Sequence, residues 1–274
     1  MFALAHDMEG NSGTFQELEV KVAITIGSAR LLPFVQLNIR RCRLVFGEDV
    51  PILVSDDKGQ FTPEIQRMVE AEDCGFWTSE SRMTHHSGDA QTFVNAIRFA
   101  EQVDADVALR ISQRYIPLHP GFREALERTM ADPNVMLCSP GRLFPQQIVR
   151  RQCMFYCKFP MLVDAVAIRR GALSADEYLN IYRERTAKGR QHNEALTEVT
   201  WLWICQNKFP GRFRAIPEWT NHVPGRPRLF LRKAQSHHQE FQRIAQADGV
   251  RGHFDIREWA EIDRDKYRCT AVEV

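Results

Sequence analysis

The sequence lacks the features of several large classes of protein. No stretch approaches the roughly 18 consecutive apolar residues that a membrane-spanning helix requires, and residues 1–19 lack the basic start and long apolar run of a signal peptide. Lys and Arg total 36 against 35 Asp and Glu, and the net charge of +1 argues against a general nucleic-acid-binding protein. We therefore expect a cytoplasmic protein with at most peripheral membrane contact and no nucleic-acid partner.

Signals for a disulfide framework or a zinc site are also missing. The seven cysteines form no CxxC pair, and His85 and His86 have no second cluster of ligands at zinc spacing. Cys153 and Cys157 lie four residues apart, which on a helix only places two thiols on one face. Scattered cysteines are typical of a reducing compartment. The sequence therefore predicts free thiols and no structural metal.

The composition is that of an ordinary globular protein with a large core. Hydrophobic residues make up 44% and charged residues 26%, and the 17 Phe and 5 Trp supply large apolar groups to bury. A length of 274 residues suits one large core. Residues 1–19 show little periodicity and several turn formers, so we expect a loose lead-in there and a single domain over 20–274.

Short apolar runs alternate with segments of helical periodicity through the first half of the chain. Five such runs predict strands, at 22–26, 51–54, 76–79, 107–111 and 135–138. Helices are predicted between them, the last over 121–131. This alternation is typical of an α/β fold, with a mostly parallel central sheet and helices on both faces. After residue 141 the pattern is less regular and predicts a strand at 163–168 and helices at 175–187, 194–204 and 235–247.

Polar residues follow three of the predicted strands at the point where each strand ends. Gly27 and Ser28 follow the first, Asp56 and Asp57 the second, and Ser112-Gln113-Arg114 the fourth. Ligands of parallel α/β sheets bind beyond the carboxyl ends of the strands. We therefore expect one binding site that gathers these three strand ends.

Three passages resemble the GT-A glycosyltransferases, and the resemblance lies in their order and spacing. They are 22–28, similar to the family's opening strand; 52–59, similar to its acidic strand end; and 85–114, similar to the helix and strand that deliver its Asp-x-Asp metal motif. The resemblance implies a Rossmann-like, nucleotide-sugar-binding half over 20–140 and an acceptor half with a C-terminal segment over 141–274. It also implies transfer of a sugar from a nucleotide-diphosphate donor to a hydroxyl of a glycan or lipid-linked glycan, as in polysaccharide biosynthesis.

The chain departs from the family at the metal motif. Ser112-Gln113-Arg114 stands where two aspartates are expected, and neither Ser nor Gln supplies the charged oxygen that Mg²⁺ or Mn²⁺ prefers. A guanidinium binds phosphate oxygens in bidentate fashion, so Arg114, with Arg110, could neutralise the diphosphate without metal. A divalent metal cofactor therefore remains an open alternative that the motif does not support.

Several further residues are candidates for donor binding, each beside a structural alternative. Asp56 and Asp57 could accept hydrogen bonds from the nucleoside, or stabilise an ordinary turn. Asp89 lies near a predicted helix start that attracts phosphate, or caps that helix. Arg110 and Arg114 each contact the ligand or form a structural ion pair. The remaining candidates are Gly27, Ser28 and Arg30 after the first strand, Asn95 and Arg98 as one joint helix face or a solvated one, and His237.

The acceptor half offers carboxylates for general-base catalysis. Glu194 and Glu198 lie one helical turn apart, and one of them is the expected base that takes the proton of the acceptor hydroxyl. A solvated helix face is the alternative for at least one of the two, and Asp164 is a further candidate. Two other functions stay open: a nucleotidyltransferase, although 27–30 is a poor match to its Gly-rich loop, and a non-catalytic sugar- or nucleotide-binding protein.

Overall fold

A computed structural model of the chain describes residues 20–28, 32–59, 61–83, 85–140, 149–151, 154–156, 164–189, 196–219, 227–232 and 234–252. The predicted lead-in over 1–19 and the site candidates Arg30 and Glu194 lie outside these residues. The division of the chain into a donor half and an acceptor half stays a prediction.

Eleven strands lie within the described ranges. They are β1 (Val22–Ser28), β2 (Ile52–Asp56), β3 (Gly75–Thr78), β4 (Val107–Ser112), β5 (Tyr115–Pro117), β6 (Leu137–Pro140), β7 (Val149–Arg151), β8 (Met154–Tyr156), β9 (Ala165–Arg169), β10 (Phe213–Ile216) and β11 (Phe230–Arg232). Seven of them form the central sheet in the order β10-β6-β9-β4-β1-β2-β3. Only β9 runs antiparallel to its neighbours in that sheet, so the predicted mostly parallel sheet is confirmed.

Helices cover both faces of this sheet, as predicted. They are α1 (Leu32–Phe46), α2 (Thr62–Ala71), α3 (His85–Gln102), α4 (Gly121–Met130), α5 (Ala175–Gly189), α6 (Leu196–Trp203) and α7 (Ala234–Ala247). Because side chains of a strand alternate between faces, Ile24 and Ile26 of β1 join the core with α1, α2 and α4, while Ala23 joins the core with α3, α5 and α6. The α/β fold is therefore confirmed.

An aromatic cluster fixes α3 against the helices of the second half. The Phe93 ring of α3 lies 4.8 Å from the Trp201 ring and 5.6 Å from the Tyr178 ring, measured between centroids. All three side chains are fully buried. Burial of a large apolar side chain contributes about 1.5–3 kcal/mol, so this cluster holds α3 in a fixed position beside β1 and β4.

The last described elements pack against the first helix. Strand β11 pairs antiparallel with β5. In α7, the Phe241 ring lies 5.1 Å from the Phe34 ring of α1. Arg41 of α1 donates two hydrogen bonds to the Asp248 carboxylate, of 2.6 and 2.7 Å. The C-terminal part of the described chain thereby braces α1 and β5.

Local details differ from the sequence predictions. The pattern did not predict β5, β7, β8, β10 or β11. The helix predicted over 194–204 is present as α6 over Leu196–Trp203, with residues 194 and 195 outside the described ranges, and it continues as a π-helical turn over Ile204–Lys208. No helix of the described residues is long and apolar enough to cross a membrane. Free thiols are confirmed for the described cysteines, which are Cys42, Cys74, Cys138 and Cys205.

Candidate functional site

The three predicted strand ends lie side by side at one edge of the sheet. Ser28 of β1 pairs in register with Asp56 of β2, and Gly27 pairs with Ser112 of β4. The strand order reverses here, because β2 follows β1 on one side whereas β4 lies on the other. A crevice at such a reversal is the usual ligand site of an open α/β sheet.

The Asp56 carboxylate holds the loop between β2 and α2. It accepts hydrogen bonds from the Ser28 hydroxyl at 2.8 Å, the Thr62 hydroxyl at 2.6 Å and the Lys58 backbone N–H at 3.1 Å. Only 1% of Asp56 is exposed. These contacts favour the structural alternative for Asp56 and Ser28, which frame the site by fixing the β1 and β2 ends to each other.

Asp57 lies against the first turn of α3. Its backbone N–H donates to the Ser28 carbonyl at 3.0 Å, and a Cβ atom built on Gly88 would lie 2.2 Å from Asp57 Oδ1. No real side chain tolerates that distance, so glycine at position 88 gives the Asp57 carboxylate its place beside the helix start.

Arg110 and Asp89 form an ion pair between β4 and α3. Arg110 is 3% exposed at its side chain, and Asp89 is 22% exposed. The Arg110 guanidinium also lies over the Phe93 ring, 4.9 Å from its centroid. Asp89 is the fifth residue of α3 rather than its cap. The structural alternative for Arg110 is therefore the one that the contacts favour, and a donor contact of either residue stays a prediction.

Asn95 and Arg98 do not point together as the helix spacing predicted. The Asn95 amide donates to the Ser55 hydroxyl of β2 at 2.9 Å and is buried. Arg98 is exposed and pairs with Asp176 of α5 at 3.0 Å. Of the two alternatives, the contacts disfavour a joint ligand-binding face, because Asn95 is buried against the sheet whereas Arg98 is exposed beside α5.

The segment after β4 turns instead of staying extended. Gln113 and Arg114 form a tight turn, and β5 begins at Tyr115. Residues 110, 112 and 114 alternate in the sequence, which on an extended segment would place their side chains on one face. The turn at Gln113 and Arg114 excludes that arrangement for Arg114. The Ser112 N–H donates to the Asp164 carbonyl at 2.7 Å, and the Gln113 N–H donates to the Gly27 carbonyl at 3.1 Å.

Arg114 differs from the other cations around this edge. It is half-buried and makes no hydrogen bond or salt bridge with any residue that the structure describes. Arg110 and Lys58, by contrast, both donate to protein oxygens. The Arg114 guanidinium is therefore available to an anionic ligand at the end of β4.

The strand ends do not fit a divalent metal ion. No group of three or more His, Cys, Asp or Glu side chains suited to a metal occurs among the described residues. Both Asp56 oxygens already accept hydrogen bonds within the protein, and Ser112 and Gln113 are neutral. Mg²⁺ and Mn²⁺ favour carboxylate oxygens, so Asp56, Ser112 and Gln113 are poorly suited to hold either ion.

Sequence reasoning passed over Asn38 of α1. This fully buried side chain donates its amide to the Ser112 and Tyr115 carbonyls at 3.2 and 3.1 Å. A signal was present, because Asn38 lies three residues after Val35 and four before Cys42, on the apolar stripe that predicts the buried face of α1. A polar residue in that place needs a buried partner.

The structure describes the predicted catalytic residues and the donor-binding candidate His237 to different extents. Glu198 and His237 lie in α6 and α7, but their side chains are outside the described part of the chain, as is Glu194 altogether. Asp164 is different, because its carbonyl accepts the Ser112 N–H at the edge of the site. It is the acidic candidate that the structure places beside the strand ends.

No protein-family model and no curated protein matches the chain. Solved structures similar to it include a cytidylyltransferase from Leptospira borgpetersenii, at 12% identity and TM-score 0.48, over 93% of this chain and 98% of that one. Mannosyl-3-phosphoglycerate synthase from Rubrobacter xylanophilus is similar at 13% identity and TM-score 0.44, over 93% and 78%. A mannosyltransferase from Pyrobaculum calidifontis, in complex with GDP-Man and Mn²⁺, follows at 13% and 0.38, over 60% and 52%. Likenesses this distant decide neither the reaction nor the substrate.

Proposed function

We propose that the chain is a glycosyltransferase that moves a sugar from a nucleotide-diphosphate donor to a hydroxyl of a glycan or lipid-linked glycan. The supporting observation is the convergence of the β1, β2 and β4 ends at the point of strand-order reversal, with the Arg114 guanidinium available there. The donor lies across these strand ends. Asp57 faces the nucleoside, and Arg114 faces the diphosphate.

In the proposed mechanism, Arg114 replaces the metal ion that would otherwise neutralise the donor diphosphate. When the bond between the anomeric carbon and the diphosphate breaks, negative charge develops on the departing phosphate oxygens. A guanidinium remains protonated at all physiological pH values and presents a planar pair of N–H donors to two of those oxygens. A preorganised positive charge of this kind stabilises the transition state more than the ground state.

A carboxylate of the second half completes the reaction. As the acceptor oxygen forms its bond to the anomeric carbon, the hydroxyl proton passes to this base. Asp164 is our preferred base, because its backbone carbonyl accepts a hydrogen bond from the Ser112 N–H at the edge of the donor site. Glu194 and Glu198 are the competing candidates from the sequence.

The remaining donor-binding candidates act mainly as a frame in this proposal. Their hydrogen bonds and ion pairs fix the β1, β2 and β4 ends and the start of α3 relative to one another. The frame consists of Gly27, Ser28, Asp56, Asp89, Asn95, Arg110 and Ser112. Arg30 and His237 are retained as candidates for direct diphosphate contact, and Arg98 has the weakest support because it pairs with α5.

A donor panel tests the proposal. The purified chain is incubated with UDP-, GDP-, dTDP- and CMP-sugars, each with EDTA and with Mn²⁺, and released nucleotide is measured. We expect turnover of one or more diphosphate donors that persists in EDTA. Strict dependence on Mn²⁺ would refute the role of Arg114 but not the transfer.

Two other outcomes would favour one of the alternative functions over glycosyl transfer. Binding of a nucleotide-sugar without turnover, with or without glycan acceptors, indicates a non-catalytic binding protein. Release of pyrophosphate from a nucleoside triphosphate in the presence of a sugar phosphate indicates a nucleotidyltransferase. Isothermal calorimetry with the same panel separates these results from absence of any nucleotide binding, which contradicts both enzyme functions and leaves only a protein that binds a sugar without a nucleotide.

A further inference from the structure

The Asn38 amide of α1 contacts three carbonyl groups of the turn that carries Arg114. Asn38 Nδ2 lies 3.2 Å from the Ser112 oxygen, 3.1 Å from the Tyr115 oxygen and 3.5 Å from the Gln113 oxygen. The amide nitrogen carries two hydrogens, so it forms two good hydrogen bonds and one long contact. One side chain thereby determines which way the carbonyls on both sides of Arg114 point.

Cys42 fixes the orientation of this amide. The Cys42 thiol lies 3.4 Å from Asn38 Oδ1 and donates to it. Burial raises the pKa of the Cys42 thiol far above its usual value, so the thiol keeps its proton at neutral pH. With its oxygen turned toward Cys42, Asn38 can only present N–H groups to the turn.

The rest of the turn is also held in place, except at Arg114. The N–H groups of Ser112 and Gln113 donate to the Asp164 and Gly27 carbonyls. The Tyr115 side chain is fully buried and its hydroxyl donates to the Trp219 carbonyl at 2.8 Å. Arg114 is flanked on both sides by residues whose backbone direction is set, so its side chain leaves the turn in a defined direction.

We propose that Asn38 is a positioning residue for Arg114. This inference rests on the proposed function, in which Arg114 binds the donor diphosphate. Asn38 does not touch the ligand. It restricts the 112–115 turn to one geometry, and a displacement of a binding group by about 1 Å is enough to lower activity by about 100-fold.

The test compares Asn38→Leu with Val45→Ala. Leu has the same branched side-chain skeleton as Asn with a somewhat larger volume, and it lacks the amide donor. Val45 is a buried residue of the same helix, and its truncation weakens α1 packing without removing a hydrogen-bond donor, because the valine side chain is apolar. In Asn38→Leu we expect the donor KM, and the Kd of the corresponding nucleoside diphosphate in EDTA, to rise about 10- to 100-fold. The acceptor KM stays unchanged, and Val45→Ala keeps the wild-type donor KM.

A double variant shows whether Asn38 acts through Arg114. If it does, adding Asn38→Leu to Arg114→Ala changes donor affinity no further, because interacting positions are non-additive. Additive losses overturn the proposal, and so does an unchanged donor KM in a folded Asn38→Leu protein. If Asn38→Leu does not fold, Asn38→Ser replaces it in the test. Ser is smaller and admits water to the carbonyls, so the donor KM should rise in the same direction but by less.

Amide hydrogen exchange separates failure of this inference from failure of the proposed function. Exchange of the Gln113 N–H is expected to be faster in Asn38→Leu than in Val45→Ala, compared at equal global stability. If the wild type binds no nucleoside diphosphate, the proposed function falls and this exchange result alone decides whether Asn38 orders the turn. Equal exchange in both variants overturns the inference.

Discussion

The Arg110 side chain enters the protein interior from the middle of β4 and meets the Asp89 carboxylate of α3. Arg110 is 3% exposed and Asp89 22% exposed at their side chains, so the pair spans the boundary between core and site. The Asp89 carboxylate supplies negative charge to a guanidinium that is buried beside Phe93 and Gly27. This pair therefore fixes the start of α3 over the central strands, and it explains how a charged residue is accommodated in a strand that is otherwise apolar.

Removal of Asp89 should be more costly than removal of Arg110. Asp89→Ala leaves the buried guanidinium without its carboxylate, and we expect a loss of about 3 kcal/mol in the free energy of unfolding. Arg110→Met leaves a carboxylate that still reaches water, so its loss is smaller. Urea denaturation measures both. Arg98→Ala is the control, since its exposed pair with Asp176 should contribute less than about 1 kcal/mol; the reverse ranking contradicts the argument.

Gly88→Ala should be destabilising only while Asp57 is present. The new Cβ would lie 2.2 Å from Asp57 Oδ1, and such overpacking costs about 1–3 kcal/mol. In an Asp57→Ala background the same change should become stabilising by up to about 1 kcal/mol, because Ala is the better helix former. Thermal or urea unfolding of the wild type, the two single variants and the double variant measures these changes in stability. If Gly88→Ala has the same effect with and without the Asp57 carboxylate, that carboxylate does not lie against Gly88.

Arg114→Ala should lower kcat/KM for the donor by about 100-fold or more, as expected for loss of a preorganised charge at the leaving group. Arg114→Lys should recover part of this loss, because the charge remains but the planar pair of donors does not. Steady-state kinetics in EDTA measure both variants. Arg214→Ala is the matched control, since Arg214 is exposed in β10 at the outer edge of the sheet; a loss of the same size there points to a nonspecific charge effect.

Asp164→Asn should lower kcat by about 10²- to 10⁴-fold with little change in the donor KM, as expected for loss of a general base. Glu198→Gln and Glu194→Gln are compared in the same assay. Loss of kcat in one of these, with Asp164→Asn active, would assign the base to that residue instead. Asp176→Asn, on the exposed side of α5, is the control for a change of charge.

The Cys74 thiol should react slowly in the folded protein. Burial, opposed in part by Arg43, raises the pKa of Cys74 to about 11. Thiolate is the reactive form, so alkylation at pH 8 should be about 100-fold slower than for a free thiol and should accelerate as the pH approaches that raised pKa. Iodoacetamide labelling followed by mass spectrometry tests this. Unfolding in urea should restore the ordinary rate, and fast labelling of the folded chain would contradict it.

The sequence predicts the central sheet correctly, because the signals for its strands lie in short local segments. Apolar runs such as 22–26 and 107–111 end in polar residues, and this local pattern is enough to predict buried parallel strands and their shared edge. The predicted fold class and the meeting of the three strand ends follow from it. The antiparallel direction of β9 does not, because the direction of a strand depends on the connection that precedes it.

The hydrogen-bond partners of individual polar side chains could not be predicted from the sequence. Asp56 and Asn95 look like ligand-binding residues in the linear sequence. In the structure, however, Asp56 accepts a hydrogen bond from Thr62, and Asn95 donates one to Ser55, both on neighbouring elements. The three-residue strand β5 is too short for a periodic signal, and it exists through its pairing with β11. Long-range contacts of this kind are a property of the folded chain rather than of any local window.

The pairing of β5 with β11 also sets an order of events during synthesis. The central strands emerge from the ribosome early and can begin to associate, since folding proceeds from the N-terminal side as the chain grows. The strand that follows Arg114 must wait for β11, which comes later in the chain than every strand of the central sheet. The nascent chain therefore completes its sheet before its proposed phosphate-binding turn, and until β11 is made it can hold a folded core without a finished site.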